Sequence, residues 1–157
     1  LNLLEYSEKK GLDKSRIYFT KRSKNYTDYL AKHQLADVFL DTSPFSAHST
    51  GCASLIAGVP IITLQGESFS NNVCSSLLKA IDMGELITTN YSEYFDKAVD
   101  LGNNSFKIAD IKKKLKKNYL KESLFNSKLY TKNLENAFIK IYENKKNNLE
   151  LRDIYIK

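Results

Sequence analysis

Two short apolar runs separated by a helix-like segment constrain the fold of this chain most strongly. The first runs from Val38 to Leu40 and ends at Asp41, and the second is Pro60 to Leu64. Continuous apolar runs of this length are expected for strands buried on both faces of a parallel sheet. Between them we predict a helix over Thr50–Ala57, closed by Gly58. This strand–helix–strand order predicts an α/β fold with a parallel sheet.

Apolar spacing and stop signals predict further elements on both sides of this unit. In chain order they are a helix over 1–10 that stops at Gly11, a strand at Arg16–Thr20, a short helix at Tyr26–His33, a helix from about Ser70 to Ile81, a short strand at Glu85–Thr88 and a helix over 92–101 that stops at Gly102. Short strands that alternate with helices support the same α/β class.

The last third of the chain has a different pattern. Apolar residues at helical spacing predict two long amphipathic helices within 103–147. Residues 107–147 hold twelve lysines and four acidic residues, a net charge of +8 in a chain whose total is +6. We interpret the lysines as solvated helix faces and expect no nucleic-acid partner. The domain division is then a strand–helix part at 1–102, a helical pair at 103–147 packing on it, and a tail at 148–157.

Several classes of protein and site find no support in the sequence. Cys52 and Cys74 have no CxxC pairing, which favours two small core residues over a disulfide or zinc framework. No apolar run is long enough for a membrane span, so we expect no membrane partner and a cytoplasmic location. No metal-ligand cluster or catalytic triad order stands out. We therefore name no catalytic residue and expect no metal or other cofactor.

The segment after the first predicted strand is the strongest candidate for a binding site. His48, Ser49, Thr50 and Gly51 stand where a loop passes into a helix. Backbone N–H groups at a helix start, two hydroxyls and a glycine could together form a phosphate cradle, the name used here for residues 48–51. The alternative is an ordinary helix N-cap beside a surface histidine.

Other polar residues near the same sheet edge leave two interpretations open. Tyr26, Tyr29 and Lys32 lie three residues apart on a short predicted helix, and they either contact a nucleotide base or form a solvated face. Asp41 ends a strand at the carboxyl edge, where it either contacts a ligand or caps the following loop. Glu67, in the turn after the next strand, either binds a ligand or caps a helix.

With these residues in view, the chain resembles the C-terminal half of the catalytic region of the O-GlcNAc transferase and SPINDLY-type glycosyltransferase family. The matching strings are RIYF at 16–19, QLADVFLDT at 34–42, AHSTG at 47–51, LIAGVPIITLQGES at 55–68 and LFNSKLYTKNLENAFIKIYE at 124–143. The resemblance covers about residues 10–145, and the order and spacing of the strings make it specific.

The resemblance implies a fold and an activity. Enzymes of this family have two Rossmann-like domains facing across a cleft, the GT-B architecture. They transfer a sugar, usually from UDP-GlcNAc, to Ser or Thr hydroxyls of proteins without a metal, and the second domain holds most of the donor nucleotide. The chain is thus expected to be a partial Rossmann-like GT-B domain that takes a UDP-sugar as donor and a protein as acceptor.

The resemblance also implies roles for particular residues. His48, Ser49 and Thr50 match the family's His-Thr-Thr, which binds the donor diphosphate. Lys32 stands where the family usually has a base-contacting Arg, and Tyr29 where it usually has His. Both remain able to contact or stack on a base, although an Arg and a Lys recognise a base differently.

Departures from the family pattern set further expectations. Ala53 replaces an Asp that hydrogen-bonds the ribose in relatives. The chain starts after two strands of the family's domain, one near a diphosphate-binding Lys, and after the acceptor domain and repeats. We therefore expect a sheet of about four strands, self-association through an exposed sheet edge, and no activity in isolation. The alternative is a non-catalytic nucleotide-binding or partner-docking domain derived from this fold.

Overall fold

The computed structural model describes residues 2–150 and 152–156, and it is an α/β structure with a small parallel sheet. Its helices and strands are, in chain order, α1 (Asn2–Lys9), α2 (Tyr26–His33), β1 (Phe39–Leu40), α3 (Ser49–Ile56), β2 (Ile61–Leu64), α4 (Phe69–Ala80), β3 (Ile87–Thr88), α5 (Tyr91–Asn103), α6 (Ser105–Lys121) and α7 (Ser127–Lys146). The fold class predicted from the sequence is confirmed.

The sheet lies in the middle of the core. Among the described residues its strand order is β1-β2-β3, with both pairs parallel. The central strand β2 is rich in β-branched residues, and Ile61, Ile62 and Thr63 are fully buried, as expected for a strand covered on both faces. Apolar residues of the flanking helices complete the core: Leu55, Cys74, Leu78, Leu101 and Leu115.

The predicted strand at Arg16–Thr20 is wrong, so the described sheet has three strands where about four were expected. Asp13 accepts a hydrogen bond from the N–H of Ser15 at 2.8 Å and is the N-cap of a 3₁₀ turn at Lys14–Arg16. The residues that follow pair with no strand in the described chain, and Tyr18 is 84% exposed. An extended segment needs a neighbouring strand to satisfy its backbone, and β1 is paired only with β2.

Local sequence signals place the helix ends that orient the site. α3 ends in a Schellman motif: Gly58 has φ +79°, its N–H donates to Leu55 O, and the N–H of Val59 donates to Ser54 O. α1 ends at Gly11 in the same way. The predicted end of α5 at Gly102 is wrong, because the helix continues to Asn103. Asn104 then caps α6.

The two C-terminal helices exist as predicted but differ in burial. α6 buries Leu115 and Asn118, whereas no residue of α7 is buried. None of the helices in the described ranges combines the length and apolarity that crossing a membrane would require.

Candidate functional site

The first turn of α3 differs from the starts of α2, α4, α5, α6 and α7. In α2, α4, α5, α6 and α7 a side chain accepts a hydrogen bond from the first turn; these residues are Asn25, Ser68, Asn90, Asn104 and Asn126. His48 precedes α3 and makes no such bond. The first intrahelical bond joins Cys52 N–H to His48 O at 3.1 Å. The N–H groups of Ser49, Thr50 and Gly51 therefore have no partner within the helix.

The side chains of the cradle differ in exposure. Ser49 is exposed and Thr50 is half-buried, so both hydroxyls can reach a ligand at the helix start. Gly51 is buried, and a Cβ atom there would lie 3.1 Å from Cys74 Sγ and 3.4 Å from Leu77 Cδ1. The missing side chain at Gly51 therefore makes room for α4, and the glycine can offer a ligand only its backbone.

Aromatic rings hold His48 in place. The Phe45 ring stacks on the imidazole with centroids 4.8 Å apart and planes inclined by 13°. The Phe69 ring meets it edge-on at 6.3 Å, and Nε2 lies 3.4 Å from the carbonyl oxygen of Ser70. Phe45 and Phe69 are 62% and 84% exposed, so the half-buried imidazole lies at an open, aromatic-lined rim.

Asp41 caps the loop that leads to the cradle. One carboxylate oxygen accepts hydrogen bonds from the N–H groups of Thr42 at 2.9 Å and Ala47 at 2.7 Å. The other accepts from the Thr63 hydroxyl at 2.6 Å. Asp41 is buried, with 6% of its surface exposed. The sequence left two roles open for it, and its hydrogen bonds confirm that it caps the following loop. Glu67 is exposed and is not the cap of α4, because that role belongs to Ser68.

Two ionisable groups near Asp41 are held in their neutral forms. The Tyr94 hydroxyl donates to the backbone oxygen of Asp41 at 2.8 Å. Burial, with a smaller contribution from the Asp41 charge, raises the pKa of Tyr94 to about 12. Burial and then the Asp41 charge also raise the pKa of the Cys74 thiol above its ordinary value. Neither group is therefore ionised to act as a nucleophile or base near neutral pH.

The second group of predicted site residues lies on α2. The Tyr26 and Tyr29 rings are 6.2 Å apart, and the His33 ring meets Tyr29 edge-on at 4.7 Å. The Lys32 ammonium donates to the backbone oxygen of Lys21. Tyr29 and Lys32 line a cleft of about 340 Å³ with residues 20–23, whereas Tyr26 is 58% exposed outside its lining. None of the cradle residues lines this cleft.

Some residues that shape the cradle were not singled out from the sequence. The N–H and hydroxyl of Ser46 donate to the Ser70 carbonyl at 3.0 and 2.8 Å, which ties the loop before α3 to the start of α4. Phe45, in the loop before α3, and Phe69, the first residue of α4, flank His48. The contacts of Ser46 with Ser70 and of His48 with Phe69 join residues more than 20 positions apart and leave no local signal. Thr63 did have a local signal in the sequence, because it is a polar residue within the predicted buried strand at Pro60–Leu64.

Comparisons with known proteins agree on one family. The model of glycosyl transferase family 41 matches residues 1–134. The probable UDP-N-acetylglucosamine–peptide N-acetylglucosaminyltransferase SEC of Arabidopsis thaliana is 35% identical over 138 residues, which are 87% of this chain and 14% of that protein. The corresponding Caenorhabditis elegans enzyme is 33% identical over 85% of this chain and 12% of its own length.

A solved structure shows the same architecture. A mutant O-GlcNAc transferase from Thermobaculum terrenum superposes with a TM-score of 0.81 at 29% identity, covering 91% of this chain and 27% of that one. This chain therefore spans a small part of the length of the relatives that it matches.

Proposed function

This chain belongs to glycosyl transferase family 41, and on that basis we propose that it holds the diphosphate of a UDP-sugar donor, with GlcNAc as the sugar and protein Ser or Thr hydroxyls as acceptors. The observation that carries the proposal is the uncapped start of α3 directly after the loop from β1. The cradle contains His48, Ser49 and Thr50, which the family resemblance predicts to bind the donor diphosphate.

The physical basis is the electrostatics of a helix start. The N–H groups of the first turn point away from the helix along its axis, and the helix dipole places partial positive charge at that end. In the other helices that have a capping residue, a side-chain oxygen takes this position, whereas here it is left for an anion. The Ser49 and Thr50 hydroxyls add two donors beside the backbone, and the Phe45 ring fixes the imidazole of His48 next to them.

Base recognition is assigned to the cleft beside α2. Tyr29 presents an aromatic face for stacking and Lys32 an ammonium group, and both line the cleft with residues 20–23. We propose no catalytic residue in this chain. Activity then depends on acceptor and base groups elsewhere in the family's catalytic region, and the 157 residues alone should transfer no sugar.

Calorimetric titration of the 157-residue chain tests the diphosphate assignment. UDP is expected to bind more tightly than uridine, and inorganic pyrophosphate should compete with UDP. Thr50→Ala and His48→Ala should each weaken UDP binding by about tenfold, the loss expected for a hydrogen bond to a charged group. Asn90→Ala, which removes the cap of α5 far along the chain, is the matched control and should leave UDP affinity unchanged.

The proposal would be contradicted if UDP and uridine bound equally, or if neither cradle variant changed UDP binding.

A second candidate function is a nucleotide-binding domain that does not take part in sugar transfer. It is favoured by Ala53, whose buried methyl group cannot replace the ribose-binding Asp of relatives. Sugar release from UDP-GlcNAc with a peptide acceptor, assayed with the remaining catalytic region of a relative added in trans, distinguishes the two.

A further inference from the structure

We infer that Asp41 and Thr63 form a positioning pair that sets the direction of the free N–H groups of the cradle, and so controls how tightly a diphosphate binds there. This inference rests on the proposed function for the ligand, but its geometry concerns residues outside the predicted binding set. Both residues are buried, and neither is expected to touch the donor.

The pair closes the loop between β1 and α3 at both ends. The same Asp41 oxygen, Oδ1, accepts from Thr42 N–H at the start of the loop and from Ala47 N–H at its end. Ala47 directly precedes His48, so the position of its N–H fixes where the first turn of α3 begins. A six-residue loop that returns to one carboxylate oxygen has little freedom to tilt the helix start.

Thr63 fixes the carboxylate itself. Its hydroxyl donates to Oδ2 of Asp41 at 2.6 Å from the adjacent strand β2, where Thr63 is fully buried. The Tyr94 hydroxyl holds the Asp41 backbone oxygen at 2.8 Å from α5. The carboxylate therefore connects the rigid centre of the sheet to the helix start, which is the arrangement by which buried hydrogen bonds hold binding groups in place.

The sign of the change in UDP affinity shows whether Asp41 acts by positioning the loop or through its own charge. A carboxylate beside an anion site repels a diphosphate, so the charge of Asp41 by itself weakens binding. If Asp41 acted on the ligand only through its charge, removing the charge would tighten binding. If it acts by holding Ala47 and Thr42, removing its oxygens should weaken binding. The two effects have opposite signs.

Thr63→Val is the sharpest test because it removes one hydroxyl and keeps the side-chain shape. Thr88→Val makes the same change at an equally buried residue of β3, whose hydroxyl donates to Thr63 O at 2.9 Å and makes no hydrogen bond to Asp41. In calorimetry, Thr63→Val should weaken UDP binding by about tenfold and leave uridine binding unchanged. Thr88→Val should bind both as the unaltered chain does.

Two variants of Asp41 test whether UDP affinity is lost and then restored when its hydrogen-bond acceptor is removed and replaced. Asp41→Ala removes both acceptors and should lose UDP affinity. Asp41→Asn should restore it, because the amide oxygen can accept from Thr42 and Ala47 while its NH₂ group donates to the Thr63 hydroxyl. The positioning role is overturned if Thr63→Val binds UDP normally, if Thr88→Val is equally weak, or if Asp41→Ala binds UDP more tightly than the unaltered chain.

A measurement without ligand separates this inference from the proposed function. If the unaltered chain binds no UDP, the proposed function fails. The amide NMR resonances of Ser49, Thr50 and Gly51 still report the geometry. They should shift in Thr63→Val and not in Thr88→Val. Unshifted cradle amides in Thr63→Val overturn the positioning pair even when no ligand is present.

Discussion

His33 at the end of α2 and Ser54 in α3 share a hydrogen bond, with Nδ1 and Oγ 2.9 Å apart. Ser54 is fully buried and His33 is half-buried. The bond joins the helix that carries Tyr29 and Lys32 to the helix that begins with the cradle. It therefore connects the two groups of predicted donor-binding residues, although neither residue was predicted to bind the donor.

This relationship predicts a pH dependence of stability. Burial lowers the pKa of His33 from its ordinary value of 6.5. The unfolded chain then binds the proton more readily than the folded one, so the contribution to stability is complete above about pH 6.5 and is lost as the pH falls toward the lower folded pKa. The Tm of the chain should fall between pH 7.5 and 5.5, and this fall should be smaller in His33→Gln.

The carboxylates of Asp13 and Glu93 do not interfere with that measurement. The N–H and hydroxyl of Ser15 lower the pKa of Asp13, and those of Thr89 lower the pKa of Glu93, from ordinary values of 3.8 and 4.5. Their stabilising contributions are lost only at more acidic pH, as these groups protonate. An equal Tm change in His33→Gln and the unaltered chain across pH 7.5–5.5 would show that His33 is not the group responsible.

Gly51→Ala should destabilise the fold despite the higher helix propensity of alanine. The new Cβ would lie 3.1 Å from Cys74 Sγ in the fully buried interface with α4. Overpacking of about 1–3 kcal/mol should outweigh a propensity gain of about 1 kcal/mol. Chemical denaturation gives the free energy of unfolding.

Two further variants test the cause. Gly102→Ala in α5 meets no atom within 4 Å and should stabilise the chain by about 0.5–1 kcal/mol. In a Cys74→Ala background the obstructing sulfur is gone, so Gly51→Ala should become neutral or stabilising relative to that background. A destabilisation that persists there would place its origin elsewhere than the Cys74 contact.

The elements defined by local chemistry could be predicted from the sequence. Gly11 and Gly58 stand at helix ends, and the run at Pro60–Leu64 contains the central strand Ile61–Leu64. Each of these signals depends on residues within a few positions of one another. The family resemblance, now confirmed, rested on strings that span the same elements.

The features that failed or stayed open depend on distant contacts. The apolar residues at Arg16–Thr20 suggest a strand, but a strand requires a partner that no local pattern can supply. Sequence alone also could not show that Thr63, 22 residues further along the chain, donates to the second carboxylate oxygen of Asp41. The packing role of Gly51 likewise depends on the position of Cys74 in the next helix.

Asn118 is expected to be important for stability because it satisfies the turn after α4. Its buried amide donates to Ile81 O at 2.9 Å and Asp82 O at 3.2 Å, and Asp82 has a left-handed φ of +53°. Asn118→Ala should cost about 1–3 kcal/mol, because two carbonyl groups lose their donor. Lys117→Ala, at the exposed neighbouring position of α6, should change the free energy of unfolding by less than about 0.5 kcal/mol. Equal effects would contradict this role.

α7 should be the least protected long helix of the chain in hydrogen exchange. None of its residues is buried, and Phe138 and Tyr142 are 61% and 67% exposed, whereas α6 buries Leu115 completely. A helix with few buried contacts opens locally without unfolding the core. Amides of α7 should therefore exchange well before those around Leu115. Ending the chain at Asn126 should lower the Tm by less than about 4 °C, whereas Leu115→Ala should cost about 2–5 kcal/mol. Protection of α7 equal to that of α6 would contradict this expectation.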